Sequence, residues 1–104
     1  MRKIIISIVL IYSTLAAADN NVVRTSSDIY KKCMKCHGAK GEIEALGVSK
    51  KISSMKENEI EKALKGYKMG VRNVYNFGGL MKGQVLSLSD DEIKKLAEYI
   101  SKLK

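Results

Sequence analysis

Five consecutive residues hold most of this chain's chemical capacity: Cys33-Met34-Lys35-Cys36-His37. They contain both cysteines and the single histidine of a 104-residue sequence. Thiols at positions i and i+3 lie about one helical turn apart. At that separation both can add to the two vinyl groups along one edge of a porphyrin. The histidine immediately beyond them can swing beneath the ring and bring an imidazole nitrogen to the iron. C-x-x-C-H is accordingly the run that attaches c-type haem. A free redox pair of the thioredoxin kind is an alternative, but it wants a strand leading into the motif, and none is apparent. Zinc is another, but a structural site takes four protein ligands, and the sequence has no further cysteine or histidine. A disulfide between Cys33 and Cys36 would close too short a loop to restrain the unfolded chain much.

The elements that must position this motif follow from capping signals and apolar spacing. Thr25 and Asp28 form a capping box, and a helix is expected from about Ser26 to Lys35 with Ile29, Tyr30, Cys33 and Met34 facing inward. Gly38 to Ser53 has no sustained period and reads as a loop, with a short helical turn around Ile43 to Leu46. Ser54 and Glu57 form a second box, predicting a helix from Met55 to Leu64 that ends near Gly66 or Gly70. Val71 to Leu88 carries three glycines and scattered apolar residues and is read as irregular. Ser89 and Glu92 form a third box. The last helix is expected from about Asp90 to Lys102, with Ile93, Leu96, Ala97, Ile100 and Leu103 as its apolar stripe. The expected class is all-α: three main helices and two irregular loops around one covalently bound haem.

The beginning of the chain reads as a leader. Arg2 and Lys3 precede an apolar run from Ile4 to Leu15, and Ala16-Ala17-Ala18 supply small side chains before Asp19. This is the layout of a secretory signal peptide. A retained membrane anchor is the alternative, although the run is well short of the roughly 20 residues of a spanning helix. Cleavage after Ala18 leaves residues 19–104 as one domain and lowers the formal charge from +8 to +6. That domain has no Trp, no Pro and one Phe. Its core is thin for a free-standing fold, as in small domains completed by a bound group. Export places the cysteines in an oxidising compartment and makes nucleic acid a poor partner.

Four features occur in order: the helix entering Cys33-Met34-Lys35-Cys36-His37-Gly38, the Lys65-Gly66-Tyr67 helix exit, the Gly78-Gly79-Leu80-Met81 loop and the Leu88-Ser89-Asp90-Asp91-Glu92 helix start. With them the chain resembles the class I monohaem cytochromes c of bacteria, particularly the small periplasmic type, over nearly all of Asp19 to Lys104. The resemblance implies the class I fold, with first and last helices crossing and a late-loop methionine closing the second haem face. It also implies one haem c and its iron, bound through two thioethers. Many members carry a proline shortly after the motif, and its neighbourhood supplies a carbonyl to the ligating histidine. This chain has none, so Gly41 or Gly47 is expected to turn the loop, and the acceptor for His37 is open.

Haem iron in electron carriers is often held by His and Met. Met1 leaves with the leader, Met34 is too close to His37 to reach the opposite face, and Met55 reads as core or surface. Met69 and Met81 contend. Met81 suits the resemblance, and Gly78, Gly79 and Gly83 let the backbone approach the ring; Met69 is read as packing at a helix exit. The expected ligand set is thus His37 and Met81, with Cys33 and Cys36 as attachment points. Tyr67, Tyr75 and Phe77 are candidates for packing near the ring, and Arg72 for a haem propionate.

Lys31, Lys32, Lys35 and Lys40 flank the motif, and Lys65, Lys68, Arg72 and Lys82 flank the later segments. Such a surface steers toward acidic redox partners. The function expected is a monomeric periplasmic one-electron carrier, not an enzyme and without a small-molecule substrate. It would pass electrons from a respiratory donor to a terminal oxidase or reductase. The alternatives are a haem-binding subunit or a small haem peroxidase or gas-binding protein.

Overall fold

The computed structural model describes residues 24–103. The leader assigned to residues 1–18, and the polar segment after it up to Val23, lie outside the described residues. The regular structure among the described residues is helical, with no strand.

The chain builds helices α1 (Ser26–Tyr30), α2 (Met34–His37), α3 (Glu57–Met69), α4 (Gly78–Val85) and α5 (Asp90–Ser101), with short 3-10 turns between them. The last helix is the anchor. Ser89 Oγ accepts from Glu92 N at 3.1 Å while Glu92 Oε1 accepts from Ser89 N at 3.0 Å, so both halves of the capping box form. Ile93, Leu96, Ala97 and Ile100 are buried along one stripe. Each fully buried Leu or Ile contributes about 1.5–3 kcal/mol. α1 and α3 pack on this stripe, and α4 packs on α3. Ile29, Tyr30, Ile60, Leu64, Val85 and Leu88 complete the core. Arg24 then ties the start of α1 to that of α5: its guanidinium meets the Glu92 carboxylate twice, at 2.7 and 2.9 Å.

Three expectations need correction. The helix foreseen over Ser26 to Lys35 is split. Lys31 N bonds to Asp28 O and Cys33 N to Tyr30 O, at 3.3 and 2.8 Å. These are three-residue bonds, which overwind the chain before α2 begins. At its start, Thr25 Oγ1 accepts from Asp28 N at 3.1 Å, but the Asp28 carboxylate takes the Thr25 hydroxyl hydrogen rather than a backbone one. The middle helix begins later and runs farther than predicted. Ser54 does not cap it, because its hydroxyl donates to Lys51 O at 2.6 Å inside the 3-10 turn Ile52–Ser54. The helix passes through Gly66 and stops at Gly70, which takes φ +75°. Gly70 N bonds to Tyr67 O and Val71 N to Gly66 O, both at 3.0 Å, the pairing of a Schellman stop. Finally, the segment read as an irregular loop before the last helix contains α4. The three-helix count falls one short there, and Met81 sits on a helix.

Candidate functional site

Cys33 closes the overwound turn and Cys36 lies one turn on, within α2. Both are free thiols. Cys33 is half-buried, and burial pushes its thiol above the ordinary value. Cys36 is exposed. Among the described residues no three His, Cys, Asp or Glu side chains gather around a common point. Cys33, Cys36 and His37 are strung along a helix, as attachment to a large planar group requires, rather than gathered as zinc ligands would be.

His37 ends α2 and is 9% exposed. Burial lowers its pKa, keeping the imidazole neutral, which is the metal-binding form. Its Nδ1 is buried and has no hydrogen-bond partner. Neither imidazole nitrogen is engaged by a hydrogen bond among the described residues, so Nε2 is available to a metal while Nδ1 is left without the acceptor that would orient the ring. The residues at hand therefore fit haem c: two unpaired thiols one turn apart and an adjacent neutral imidazole.

The backbone around His37 is closely specified. Gly38 takes φ +84°, and a Cβ there would lie 2.6 Å from the Glu42 carboxylate. Tyr30 donates its hydroxyl hydrogen to Gly38 O at 2.5 Å. Sequence reasoning assigned Tyr30 only to the core; the signal it missed is a phenol buried beside the motif, which must find an acceptor. Without a proline, the loop turns at Gly41 and Gly47, both at positive φ. Gly41 also approaches the following 3-10 turn, its carbonyl accepting from Ser53 N at 3.0 Å.

Met81 is half-buried on α4. Met69 is 72% exposed at the end of α3. It lines an open groove of about 600 Å³ with Asn58, Glu61, Lys62, Lys65 and Arg72; the cysteines, His37 and Met81 take no part in that groove. Met34 is exposed, and Met55 packs partly against the core. Tyr67 also packs there, with the Arg72 guanidinium 5.3 Å above its ring. Among the described residues Arg72 Nε is also a buried side-chain nitrogen without a partner. Tyr75 is exposed, and Tyr75 and Asn76 take φ +52° and +63° just before α4. Non-glycine residues in that region store strain.

The basic residues divide. Lys31 pairs with Asp28, Lys65 with Glu61 and Lys68 more loosely with Asp90. Lys82 Nζ lies 3.2 Å from where a Gly70 Cβ would stand, over the carboxyl end of α3. Lys32, Lys35 and Lys40 are exposed and have no carboxylate partner among the described residues.

Comparison with known proteins decides what this arrangement belongs to. The Cytochrome c family pattern matches residues 23–104, which include the motif, α4 and the whole helical core. The chain belongs to the cytochrome c family. Its similarity places it with the small bacterial class I monohaem cytochromes of the c-553 kind. It is 39% identical to a cytochrome c-553 of Helicobacter pylori over 104 residues, the full length of both. It is 32% identical to a cytochrome c-553 of Nitratidesulfovibrio vulgaris, over 99% of this chain and all of that one. A cytochrome c-553 of Desulfomicrobium norvegicum is 36% identical over 67% of this chain and 84% of its own.

Proposed function

We infer that this cytochrome c family member is a periplasmic one-electron carrier and not an enzyme. The observation that carries the reading is the C-x-x-C-H segment: two free thiols one turn apart, then a buried, neutral imidazole with no protein partner. In this reading Cys33 and Cys36 would hold haem c through two thioethers, and His37 and Met81 would ligate its iron. When bound, haem c supplies the Fe(II)/Fe(III) couple. The chain's own residues do the rest. The turn that Cys33 closes and the first turn of α2 would present the two thiols to one edge of the ring. Burial keeps His37 unprotonated and excludes water from its nitrogen. Large apolar side chains left exposed at Leu46, Val48, Val71, Val74 and Leu80 supply surface that a porphyrin can cover. A thioether at Met81 needs no deprotonation to ligate, whereas an unperturbed lysine titrates near ~10.4.

We propose in addition that residues 1–18 are removed on export, that the protein acts as a monomer, and that its partners present acidic docking surfaces. It would pass electrons from a respiratory donor to a terminal oxidase or reductase. Lys32, Lys35 and Lys40 are the charges that support this, being exposed beside the motif. The test is intact mass together with a reduced-minus-oxidised spectrum of protein purified from the periplasm. A chain beginning at or next to Asp19 and carrying one covalent haem, with a reversible one-electron spectrum, is the expected result. An unmodified mass from cells able to mature c-type cytochromes would sink the reading.

A further inference from the structure

We propose that Tyr30 positions the His37 imidazole, acting through the backbone of Gly38. The inference rests on His37 as the haem ligand. The imidazole plane of a ligating histidine is usually fixed by an acceptor at its other nitrogen. His37 has no such acceptor: its Nδ1 is buried and unpartnered. The ring's orientation must then come from the backbone that carries it.

Five hydrogen bonds hold that backbone. His37 N bonds to Cys33 O and Gly38 N to Met34 O, each at 2.9 Å. Ile43 N bonds to His37 O at 3.1 Å, and Gly38 O accepts from Gly41 N at 3.2 Å, within the same loop, and from the Tyr30 hydroxyl at 2.5 Å. The first two belong to α2, a helix of four residues. The third comes from a residue that is 48% exposed. Tyr30, by contrast, is 1% exposed, and its ring packs on Tyr99 of α5 with centroids 5.6 Å apart. It fastens the peptide unit after His37 to the packing of α1 on α5. Gly38, at φ +84° and ψ 162°, presents its carbonyl to the phenol. Burial pushes the Tyr30 hydroxyl up to about 12, so it remains a donor throughout the working range.

The test uses the ferric holoprotein and its haem-methyl hyperfine shifts in proton NMR, whose order and spread follow the orientation of the axial ligand planes. Tyr30→Phe should redistribute these shifts while keeping six-coordinate iron. Tyr99→Phe trims the other ring of the same pair, at a hydroxyl that makes no hydrogen bond among the described residues; it should leave the pattern unchanged. A Tyr30→Phe protein that melts earlier but keeps the wild-type pattern would overturn the proposal, since a merely structural bond predicts that. A second readout needs no variant. In ferrous wild type the Tyr30 hydroxyl proton should exchange slowly with water and show a nuclear Overhauser effect to the Gly38 α protons; a freely exchanging hydroxyl would equally overturn it. Failure of the underlying reading looks different: wild-type spectra would then lack the signals of an iron-bound histidine altogether.

Discussion

Gly78 and Gly79 are adjacent in sequence and at the start of the helix that carries Met81, yet alanine should act on them in opposite directions. Gly78 is buried. A Cβ there would overlap the Arg72 carbonyl oxygen and lie 2.8 Å from the α carbon of Asn73 and 2.9 Å from Asn73 Oδ1. Two of these atoms are backbone and cannot rotate away. The start of α4 must retreat by about 0.6 Å merely to open the gap to the Asn73 α carbon to an ordinary van der Waals separation of 3.4 Å. Gly78 N also loses alignment with Asn73 Oδ1, which it meets at 3.0 Å. Overpacking of this kind costs about 1–3 kcal/mol, and the helical preference for alanine returns at most about 0.5–1 kcal/mol. A net loss of about 1–2 kcal/mol lowers the melting temperature of a domain this size by roughly 5–15 °C. Met81 lies three residues on, one turn along the same face, so the displacement also reaches the thioether. Gly79 has nothing within 4 Å of its Cβ position, and Gly79→Ala should raise the melting temperature by a few degrees. Thermal unfolding of both holoproteins, followed by circular dichroism and by the far-red sulfur-to-iron band, decides the matter. Two alanine variants of equal stability, or a Gly78→Ala protein more stable than wild type, would refute the packing assigned to α4.

Two further outcomes follow from the charges. The Glu92 carboxyl is held below its ordinary value of 4.5 by the Ser89 N–H and the Arg24 guanidinium. A carboxylate with a lowered folded pKa stabilises fully above its unfolded value and loses that contribution as pH falls through the folded one. Acid titration of stability should therefore show a loss beginning below about pH 4.5 that is smaller in Glu92→Gln; equal acid slopes in the two proteins would contradict the Arg24–Glu92 clamp. Neutralising Lys32 and Lys35 together should slow reaction with an acidic redox partner roughly two- to fivefold at low salt, with the difference closing above ~0.1 M, where charges are screened beyond about 10 Å. Lys65, already paired with Glu61, should matter less, and equal effects at Lys65 and Lys35 would argue that these charges only solubilise.

Where the sequence was informative, it was so for local reasons. The Ser89–Glu92 box and the stripe from Ile93 to Ile100 announce α5 because capping and a 3.6-residue period act within a few residues of chain. The attachment motif is equally local, a spacing and nothing more. Helix α4 was hidden because three glycines lower its intrinsic helicity and its apolar residues do not share a face: Leu80 is half exposed while Val85 is buried. Only its packing on α3, a tertiary interaction, makes it helical. Ser54 mimicked a cap, and what the sequence could not reveal is that a nearer carbonyl, Lys51 O, captures its hydroxyl. Gly66 resembled a stop signal; in the folded chain it makes room for Arg72, whose Cβ lies 3.2 Å from the Gly66 Cβ position. Lys82 looked like a docking charge, and its place over the carboxyl end of α3 gives it a structural share as well. The Tyr30 bond to Gly38 joins residues eight apart that no spacing rule connects.

The central claim is that His37 and Met81 hold the iron of a low-spin electron carrier, and one absorption experiment addresses it most directly. The weak far-red band of a ferric iron–thioether bond should be present in wild type and in Met69→Ala, and absent in Met81→Ala, which should also bind added carbon monoxide or cyanide far more readily and show a lower reduction potential. Loss of the band in Met69→Ala with its survival in Met81→Ala would move the ligand to the end of α3, and a wild-type protein with no such band would contradict the account of a closed, six-coordinate carrier.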